Sequence, residues 1–374
     1  MTRHTRGLRT LVVSDLHLGR TERSDLLRRP DLQEPLLDAL DRVDRLVILG
    51  DGLELREAAH RDAVEIALPF FRAVGARLGP DKAFIVTSGN HDHGLAAGWI
   101  DARLQTEPAG FLGFEQHFGA HSPMAQRLVD AAAPARLQFA YPGLWLRDDV
   151  YAFHGHYADA HATVPTFERI LVGAMAKWIA PLPDPATPDD YEAVLSPLYA
   201  WLNALTQRAD TSIVSKGGGA SSRSYRALTS ERSPRALVLK TGYRGAVRTL
   251  NTIGLGPLQS SLSPTALRRG YLSGISEVIR RLGIPARHVI WGHSHRSGPW
   301  PTDDATEWTV DGTQIHNTGS WTYQPHFLTA EPNGSPYWPG TAILVEDTGP
   351  PRLLRLLGER GHDVLRPPKP RDLA

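Results

Sequence analysis

Cysteine is absent from the sequence, lysine is scarce, and long apolar runs are missing. Without thiols the chain cannot form a disulfide scaffold, a thiolate zinc site, an iron–sulfur cluster or a cysteine nucleophile. The most apolar stretch, residues 170–182, is interrupted by Lys177 and falls short of the ~20 residues of a membrane-spanning helix. The apolar run after the basic N-terminus, residues 11–13, is too short for a signal peptide. We therefore expect a soluble, cytoplasmic chain.

Charge is nearly balanced overall but unevenly distributed along the chain. The 374 residues carry a formal net charge of +1, yet residues 215–290 hold thirteen basic side chains and two acidic ones. The rest of the sequence is correspondingly acidic. With 41% hydrophobic and 22% charged residues, the composition is that of a globular protein. The length suits two domains, or one large domain with an insertion.

Short β-branched runs that end in polar residues recur along the sequence. Residues 8–15, 45–51 and 83–92 pass from apolar residues to Asp or Asn, and strands at 148–154 and 288–295 carry histidine. Apolar residues at helical spacing lie between the first runs. This alternation predicts an α/β fold, in which helices cover a parallel or mixed sheet. Because such sheets bind ligands at the carboxyl ends of their strands, we expect the polar ends to meet.

More than a hundred residues separate the two predicted strands that carry histidine, too many for a structureless loop. Residues 167–179 carry an apolar stripe at helical spacing, and 215–224 (SKGGGASSRS) is typical of a flexible joint. The sequence therefore predicts a core interrupted by an insertion. Its parts are a first core segment at 1–157, an inserted helical and basic cap subdomain at 158–270, a second core segment at 271–360 and a Pro-rich tail at 361–374.

Carboxylate, imidazole and amide side chains are concentrated at the ends of the predicted strands. The motifs are Asp15-Leu16-His17, Gly50-Asp51-Gly52, Gly89-Asn90-His91-Asp92, His154-Gly155-His156 and Gly292-His293-Ser294-His295. Alone, each of these residues is ordinarily a cap, a turn residue or a structural histidine. Together they offer oxygen and nitrogen donors that suit Mn, Fe, Zn, Co or Ni. Seven candidate ligands exceed the needs of one ion, which indicates two divalent metals that share a carboxylate.

These five motifs, in this order, resemble the calcineurin-like metallophosphoesterase family over about residues 8–157 and 284–346. The resemblance implies a four-layer α/β/β/α sandwich of two mixed sheets with a helical insertion, and a dinuclear site above it. It assigns Asp15, His17, Asp51 and His295 to one metal, and Asp51, Asn90, His154 and His293 to the other. Asp51 would bridge two divalent ions, of which we favour manganese.

The reaction implied by the resemblance is hydrolysis of a phosphoester (a monoester, a diester or a pyrophosphate) by a metal-bridging hydroxide. His91 would protonate the leaving oxygen or stabilise the transition state, and Asp92 would orient His91. Arg20 and Arg296, each close to a motif, could bind a phosphate bidentately. His156 would line the pocket.

The segment 317–321 (NTGSW), together with Arg296, is similar to the closing segment of UDP-diacylglucosamine pyrophosphohydrolases, a lipid-processing branch. That branch carries arginine where this chain has His91, a departure that favours a generic phosphoesterase site. The insertion could be a lid that binds an amphiphilic or lipid-linked phosphate ester. Its apolar stripe and basic stretch together are typical of contact with an anionic membrane surface. Alternatively, the stripe packs on the core.

Two other function classes stay open at this stage. A nuclease or nucleic-acid phosphodiesterase of the same superfamily could use the basic segment as a phosphate track. The segment has few aromatic residues for base stacking, namely Tyr225, Tyr243 and Tyr271, so nucleic acid is not the expected partner. A non-catalytic scaffold with this fold would not need seven positions filled by competent ligands. The sequence does not indicate an oligomeric state.

Overall fold

The structure is a computed structural model that describes residues 8–57, 59–106, 111–208, 234–261 and 263–368. The strands are β1 (Thr10–Val13), β2 (Arg45–Leu49), β3 (Ala83–Thr87), β4 (Glu115–Phe118), β5 (Arg136–Arg147), β6 (Val150–Phe153), β7 (His288–Trp291), β8 (Thr309–Val310), β9 (Thr313–Asn317), β10 (Thr341–Val345) and β11 (Arg352–Arg355). The α-helices are α1 (Pro30–Leu40), α2 (His60–Leu78), α3 (Gly94–Leu104), α4 (Pro123–Ala131), α5 (Phe167–Trp178), α6 (Pro188–Arg208), α7 (Pro234–Thr252), α8 (Pro264–Leu282) and α9 (His362–Leu365).

All eleven strands belong to one mixed sheet. Its order is β11-β10-β1-β2-β3-β5-β6-β7-β9-β8, and β4 pairs with β5 outside this path. The long strand β5 joins the two halves of the sheet. Its residues 136–140 pair in parallel with β3, and its residues 143–147 pair antiparallel with β6. The prediction of an α/β fold with a mixed sheet is confirmed, but the two expected sheets are hydrogen-bonded into one through β5.

Strand residues alternate between an inner and an outer hydrophobic cluster, as the two-residue period of a strand requires. In β2, Val47 belongs to the inner cluster, whereas Leu46 and Ile48 belong to an outer one with α1 and α2. In β7, Ile290 is again inside, while Trp291 packs in a second outer cluster with α6 and α8. The sheet is therefore curled, with its halves facing each other and helices covering both outer faces.

The helices of the insertion pack directly on the sheet. Val172 of α5 and Tyr191 and Leu195 of α6 are buried in the same cluster as Phe153 and Trp291. Of the predicted apolar stripe, Leu171 and Met175 pack against this cluster with their side chains partly buried.

The stripe is most exposed at its C-terminal end, where Trp178 and Ile179 are 59% and 69% exposed. The predicted joint at 215–224 lies outside the described residues. Within the described ranges, we find no helix with the length and hydrophobicity needed to cross a bilayer.

Candidate metal centre

The loops after β1, β2 and β7 hold non-glycine residues in the left-handed backbone region. Asp15, His17, Asp51, His293 and His295 have φ values of 53°, 47°, 50°, 63° and 59°. Such conformations cost free energy and persist only where the surrounding structure imposes them, which is common at functional sites. Here the loops are tied together by backbone bonds, among them the one from His17 N to Asp51 O at 2.8 Å.

Glycines in the motifs let neighbouring ligands come close to the backbone. A Cβ atom on Gly89 would lie 2.2 Å from Oδ1 of Asp51, and one on Gly292 would lie 2.5 Å from Oδ2 of Asp15. Both distances are too short for real atoms, so no other residue fits without displacing a carboxylate. The absence of a side chain at these two glycines therefore leaves room for the carboxylates of Asp51 and Asp15 to pack against neighbouring loops.

Asp15, His17 and His295 form the first group of candidate ligands. Their ligand atoms all lie within 4.8 Å of one another. Nε2 of His17 is 3.0 Å from Nε2 of His295, which is 3.3 Å from Oδ1 of Asp15. That carboxylate oxygen is buried without a hydrogen-bond partner. Lone pairs that converge in this way, with an orphaned buried oxygen among them, fit a cation.

Asp51, His154 and His293 form the second group, and Asn90 completes it. Oδ1 of Asn90 lies 3.1 Å from Nδ1 of His293 and 3.3 Å from Nε2 of His154. With the amide turned over, its NH₂ group would donate to both rings and to Asp51. Hydrogen bonding alone would favour that turned amide, whereas a cation favours the observed oxygen. The donor set fits a divalent metal of the kind that the sequence indicated.

Asp51 lies between the two groups. Its Oδ2 atom is 3.3 Å from Nε2 of His154 and 3.7 Å from Nε2 of His17. Its Oδ1 atom accepts a hydrogen bond from the backbone NH of His91 at 2.8 Å, which fixes the carboxylate plane. The structure thus brings all seven predicted ligands together, with Asp51 at the position from which one carboxylate can reach both groups.

Electrostatics in the site favour bound positive charge. Burial works against a charged His154, but the carboxylates of Asp51 and Asp15 raise its pKa to about 10. Burial would also raise the pKa of Asp51, yet the surrounding histidines hold it well below its usual range. Burial lowers the pKa of His17 to about 4, so its ring is neutral and can offer a lone pair.

Two buried carboxylates that we did not predict hold the histidines in place. Oε2 of Glu54 lies 3.0 Å from Nδ1 of His17 and 2.9 Å from Nδ1 of His91. Oδ1 of Asp159 lies 2.9 Å from Nε2 of His293. Carboxylates in this position fix the tautomer and orientation of ligand histidines. The available signal was spacing, because Glu54 follows Asp51 by three residues and Asp159 follows His154 by five, but the burial of these acids is a tertiary property.

The contacts of Asp92 correct its predicted role. Its carboxylate accepts hydrogen bonds from the backbone NH groups of Gly89 (2.7 Å), Asp51 (3.2 Å) and Gly52 (2.7 Å). The carboxylate that contacts the His91 ring is Glu54 instead, so the prediction that Asp92 orients His91 is wrong. Asp92 ties the second and third motif loops together through their backbones.

The predicted phosphate ligand Arg296 is also corrected. Its two Nη atoms donate to the oxygens of Asp303 at 2.9 Å and 2.6 Å, and its guanidinium lies over the ring of Trp308. Because this bidentate pair occupies the face of the guanidinium that would bind phosphate, Arg296 has a structural role here.

Arg20 and His156 lie in different surroundings. Nε of Arg20 is 3.8 Å from Glu54 and 3.6 Å from Glu57, which places it beside the partner of His17 and His91. His156 is 1% exposed, and its Nε2 atom lies 3.3 Å from the hydroxyl of Tyr141. The structure thus brings Arg20 next to the site and packs His156 among aromatic residues beside His154.

Arg56 is a further charged residue that we did not predict. Its Nη1 atom is 3.5 Å from Oε1 of Glu168, and its guanidinium lies 5.0 Å from the ring centre of Tyr199. Nη1 is also 3.2 Å from the side-chain amide of Asn90. The Nη2 atom is buried and has no hydrogen-bond partner. A cation with an unused donor therefore stands beside the second ligand group.

Comparison with known proteins agrees with this geometry. A family model described as calcineurin-like phosphoesterase matches residues 8–297. No curated protein sequence matches the chain. Among the solved structures, the chain is similar to a dimetal phosphatase from Danio rerio, with 12% identity, a TM-score of 0.32 and coverage of 93% of this chain and 99% of that one. The chain belongs to the calcineurin-like phosphoesterase family, and it is a metal-binding phosphoester hydrolase.

Proposed function

We propose that the protein hydrolyses its phosphoester substrate at a dinuclear centre formed by the two ligand groups. The observation that carries this proposal is the position of Asp51, whose Oδ2 atom lies within 4 Å of a histidine of each group. One carboxylate shared by two cations is the arrangement of two-metal hydrolytic sites. Two divalent cations bound here would lower the pKa of a shared water and offset charge on the phosphoryl oxygens.

His91 is the side chain placed to protonate the leaving oxygen. Its Nδ1 atom is held by Glu54, while the ring is 24% exposed, so Nε2 is the nitrogen available to substrate. The charge of Glu54 opposes the effect of burial and raises the pKa of His91. A protonated imidazole beside the second ligand group can donate to a departing alkoxide.

Arg56 and Arg20 supply the positive charge for the substrate phosphate. The buried Nη2 atom of Arg56 has no hydrogen-bond partner, and a phosphoryl oxygen near Asn90 would provide one. Arg20 stands on the other side of Glu54; its buried Nε atom makes no hydrogen bond but lies within ion-pair distance of Glu54 and Glu57. Such donors stabilise the charge that develops on the phosphoryl group.

The test is hydrolysis by the purified, Mn²⁺-loaded protein. We expect about two metal ions per chain and turnover of p-nitrophenyl phosphate, bis(p-nitrophenyl) phosphate or an aryl-activated pyrophosphate. The preferred compound identifies the ester class. Parallel loading with Zn²⁺, Fe²⁺, Co²⁺ and Ni²⁺ identifies the most active metal. Asp51→Asn should lose activity and metal together, whereas the exposed control Asp62→Asn should keep both; a fully active Asp51→Asn enzyme would contradict the proposal.

An amphiphilic substrate presented at an anionic membrane surface is a finer part of this proposal. It is supported by the exposed Trp178 and Ile179 at the end of α5, beside Lys177 and the 46% exposed Ile253. Flotation with phosphatidylglycerol vesicles should recover the wild type but not Trp178→Ser/Ile179→Ser. Leu104→Ser, which removes an exposed leucine elsewhere, is the matched control. Equal flotation of all three proteins would contradict the proposed contact with a membrane surface.

A further inference from the structure

A second concave site lies outside the metal centre. It is a groove of about 710 Å³ between the segment at 160–163, α5, the loop at 256–257, α8 and the β8–β9 turn. None of the seven candidate metal ligands lines it. Grooves of this size hold ligands as large as a mononucleotide.

Arg169 of α5 is the most deeply buried charged residue in the lining of this groove. It lines the groove although it is only 4% exposed, and its Nε atom donates to the backbone oxygen of Ala162 at 2.6 Å. Within the described ranges, no carboxylate lies within ion-pair distance of its guanidinium. Asp159 interacts electrostatically with Arg169 from a greater distance, but its carboxylate already contacts His293.

The other charges of the groove do not neutralise Arg169. Glu277 is shared by Arg280 and Arg281 of the same helix, at 2.8 Å and 2.7 Å. The remaining carboxylate of the lining, Asp311, is exposed on the β8–β9 turn. A buried cation is costly unless a counter-charge and hydrogen-bond acceptors reach it. An anion in the groove would provide both.

Hydroxyl groups complete the polar lining. Thr163 precedes α5, and Ser273 is exposed on the face of α8 that borders the groove. A guanidinium together with hydroxyl donors suits the tetrahedral oxygens of a phosphate group.

We propose that the groove around Arg169 binds a small molecule that carries a phosphate group, at a site separate from the metal centre. The guanidinium of Arg169 pairs with the phosphate, and Thr163 and Ser273 donate to its remaining oxygens. The proposal does not depend on hydrolysis at the metal centre.

Calorimetric titration of the full-length protein with inorganic phosphate and with AMP tests this. We use the Asp51→Asn background, so that hydrolysis and the intact metal centre do not contribute. Arg169→Gln should weaken binding at least about tenfold, as loss of a charge-assisted hydrogen bond does. Ser273→Asp, which adds a negative charge to the exposed wall, should weaken it similarly. Thr265→Asp, on an exposed position of the same helix, should leave it unchanged.

Arg169→Gln and Ser273→Asp test the groove independently of each other. If Arg169→Gln fails to fold, as judged by its thermal unfolding, Ser273→Asp still decides, because that side chain is exposed. Absence of saturable binding of both probes, or equal affinities in Ser273→Asp and Thr265→Asp, would overturn the proposal. Loss of hydrolysis in Asp51→Asn without loss of phosphate binding would show that the two sites are independent. Inactivity of the otherwise wild-type protein on every ester would count only against the proposed function.

Discussion

The loops at the strand ends and the helices between β6 and β7 contribute to the same centre in different ways. The loops supply the candidate ligand atoms through residues in the left-handed backbone region, such as Asp15 and Asp51. The helical insertion supplies supporting contacts: Tyr199 lies under Arg56, and Glu168 pairs with the same guanidinium. The chemistry is therefore encoded locally in short motifs, whereas its positioning depends on a segment that lies far away in sequence.

The insertion is itself held by a buried carboxylate. Glu192 of α6 accepts hydrogen bonds from the hydroxyls of Tyr141 (2.6 Å) and Tyr157 (2.5 Å), and from Ser196. The two tyrosines come from β5 and from the segment after β6, whereas Ser196 lies on α6 itself. The loops are thus held in place by backbone geometry and the insertion by a polar network, and the two can be disrupted separately.

The largest effect is expected from Gly89→Ala, in the loops. The added Cβ would meet Oδ1 of Asp51 at 2.2 Å and so displace the shared carboxylate. We expect kcat/KM for p-nitrophenyl phosphate to fall about 10³-fold or more, with loss of bound metal. Gly119→Ala, whose Cβ would meet nothing within 4 Å, is the control. Normal metal content in Gly89→Ala would show that the close approach is not required.

Glu192→Gln, in the insertion, should affect stability rather than chemistry. Burial would raise the pKa of Glu192, but hydrogen bonding to His93 and nearby histidine charge lower it to about 2 from an ordinary 4.5. A lowered carboxyl pKa stabilises the fold above pH 4.5, and the stabilisation fades as the pH falls toward 2. Urea unfolding at pH 7 should show a loss of about 3 kcal/mol.

The loss of unfolding free energy in Glu192→Gln should shrink between pH 4.5 and pH 3, because Glu192 of the unfolded wild type then takes up a proton while the folded protein, with a pKa of about 2 at this residue, keeps it ionised. Glu65→Gln, on an exposed residue, should be neutral at both pH values. If the difference in unfolding free energy between wild type and Glu192→Gln does not change with pH, the charge of the carboxylate does not stabilise α6.

Glu54→Gln should have a smaller effect, confined to the metal centre. The carboxylate that fixes the rings of His17 and His91 would lose its charge while keeping its shape. We expect metal affinity to fall about 10- to 100-fold, as for other outer partners of ligand histidines. Competition with a fluorescent chelator measures this. The control Glu57→Gln removes a nearby acid that contacts Thr21 rather than a histidine; equal losses in both variants would point to general charge instead of ring orientation.

The smallest effect is expected from Arg296→Gln. Since Asp303 occupies its guanidinium, kcat/KM should stay within about twofold of wild type, even if the fold is less stable. Arg56→Gln is the matched comparison, and its KM should rise at least about tenfold, because a charged donor to phosphate is lost. If KM rises strongly in Arg296→Gln but not in Arg56→Gln, then Arg296 binds the phosphate and Arg56 does not, contrary to our assignment.

The sequence predicted which polar side chains would meet, because each motif is short and follows a predicted strand directly. Seven polar residues after predicted strands could be placed at one edge of a sheet from the strand pattern alone. The sequence did not predict Glu54 as the partner of His91. Asp92 is the acid next to His91 in sequence, whereas Glu54 contacts the ring only in the folded protein. Arg56 was missed for the same reason.

Charge counting was the least informative sequence feature. The thirteen basic residues of 215–290 predicted an anion-binding stretch, but the arginines of α8 are largely paired with acids from other segments. Arg268 pairs with Asp303, and Arg280 pairs with Asp184. Composition cannot show such pairing, since the partners lie tens of residues away in sequence.

The first group of candidate metal ligands joins residues that lie far apart in the sequence. His17 and His295 face each other across 278 positions of sequence. During synthesis on the ribosome, the early ligands emerge long before their last partner does. The sheet strands β1 to β3 can pair in that interval, but the first ion site cannot close until β7 and the loop that follows it have left the exit tunnel. The candidate centre is therefore completed late in the synthesis of the chain.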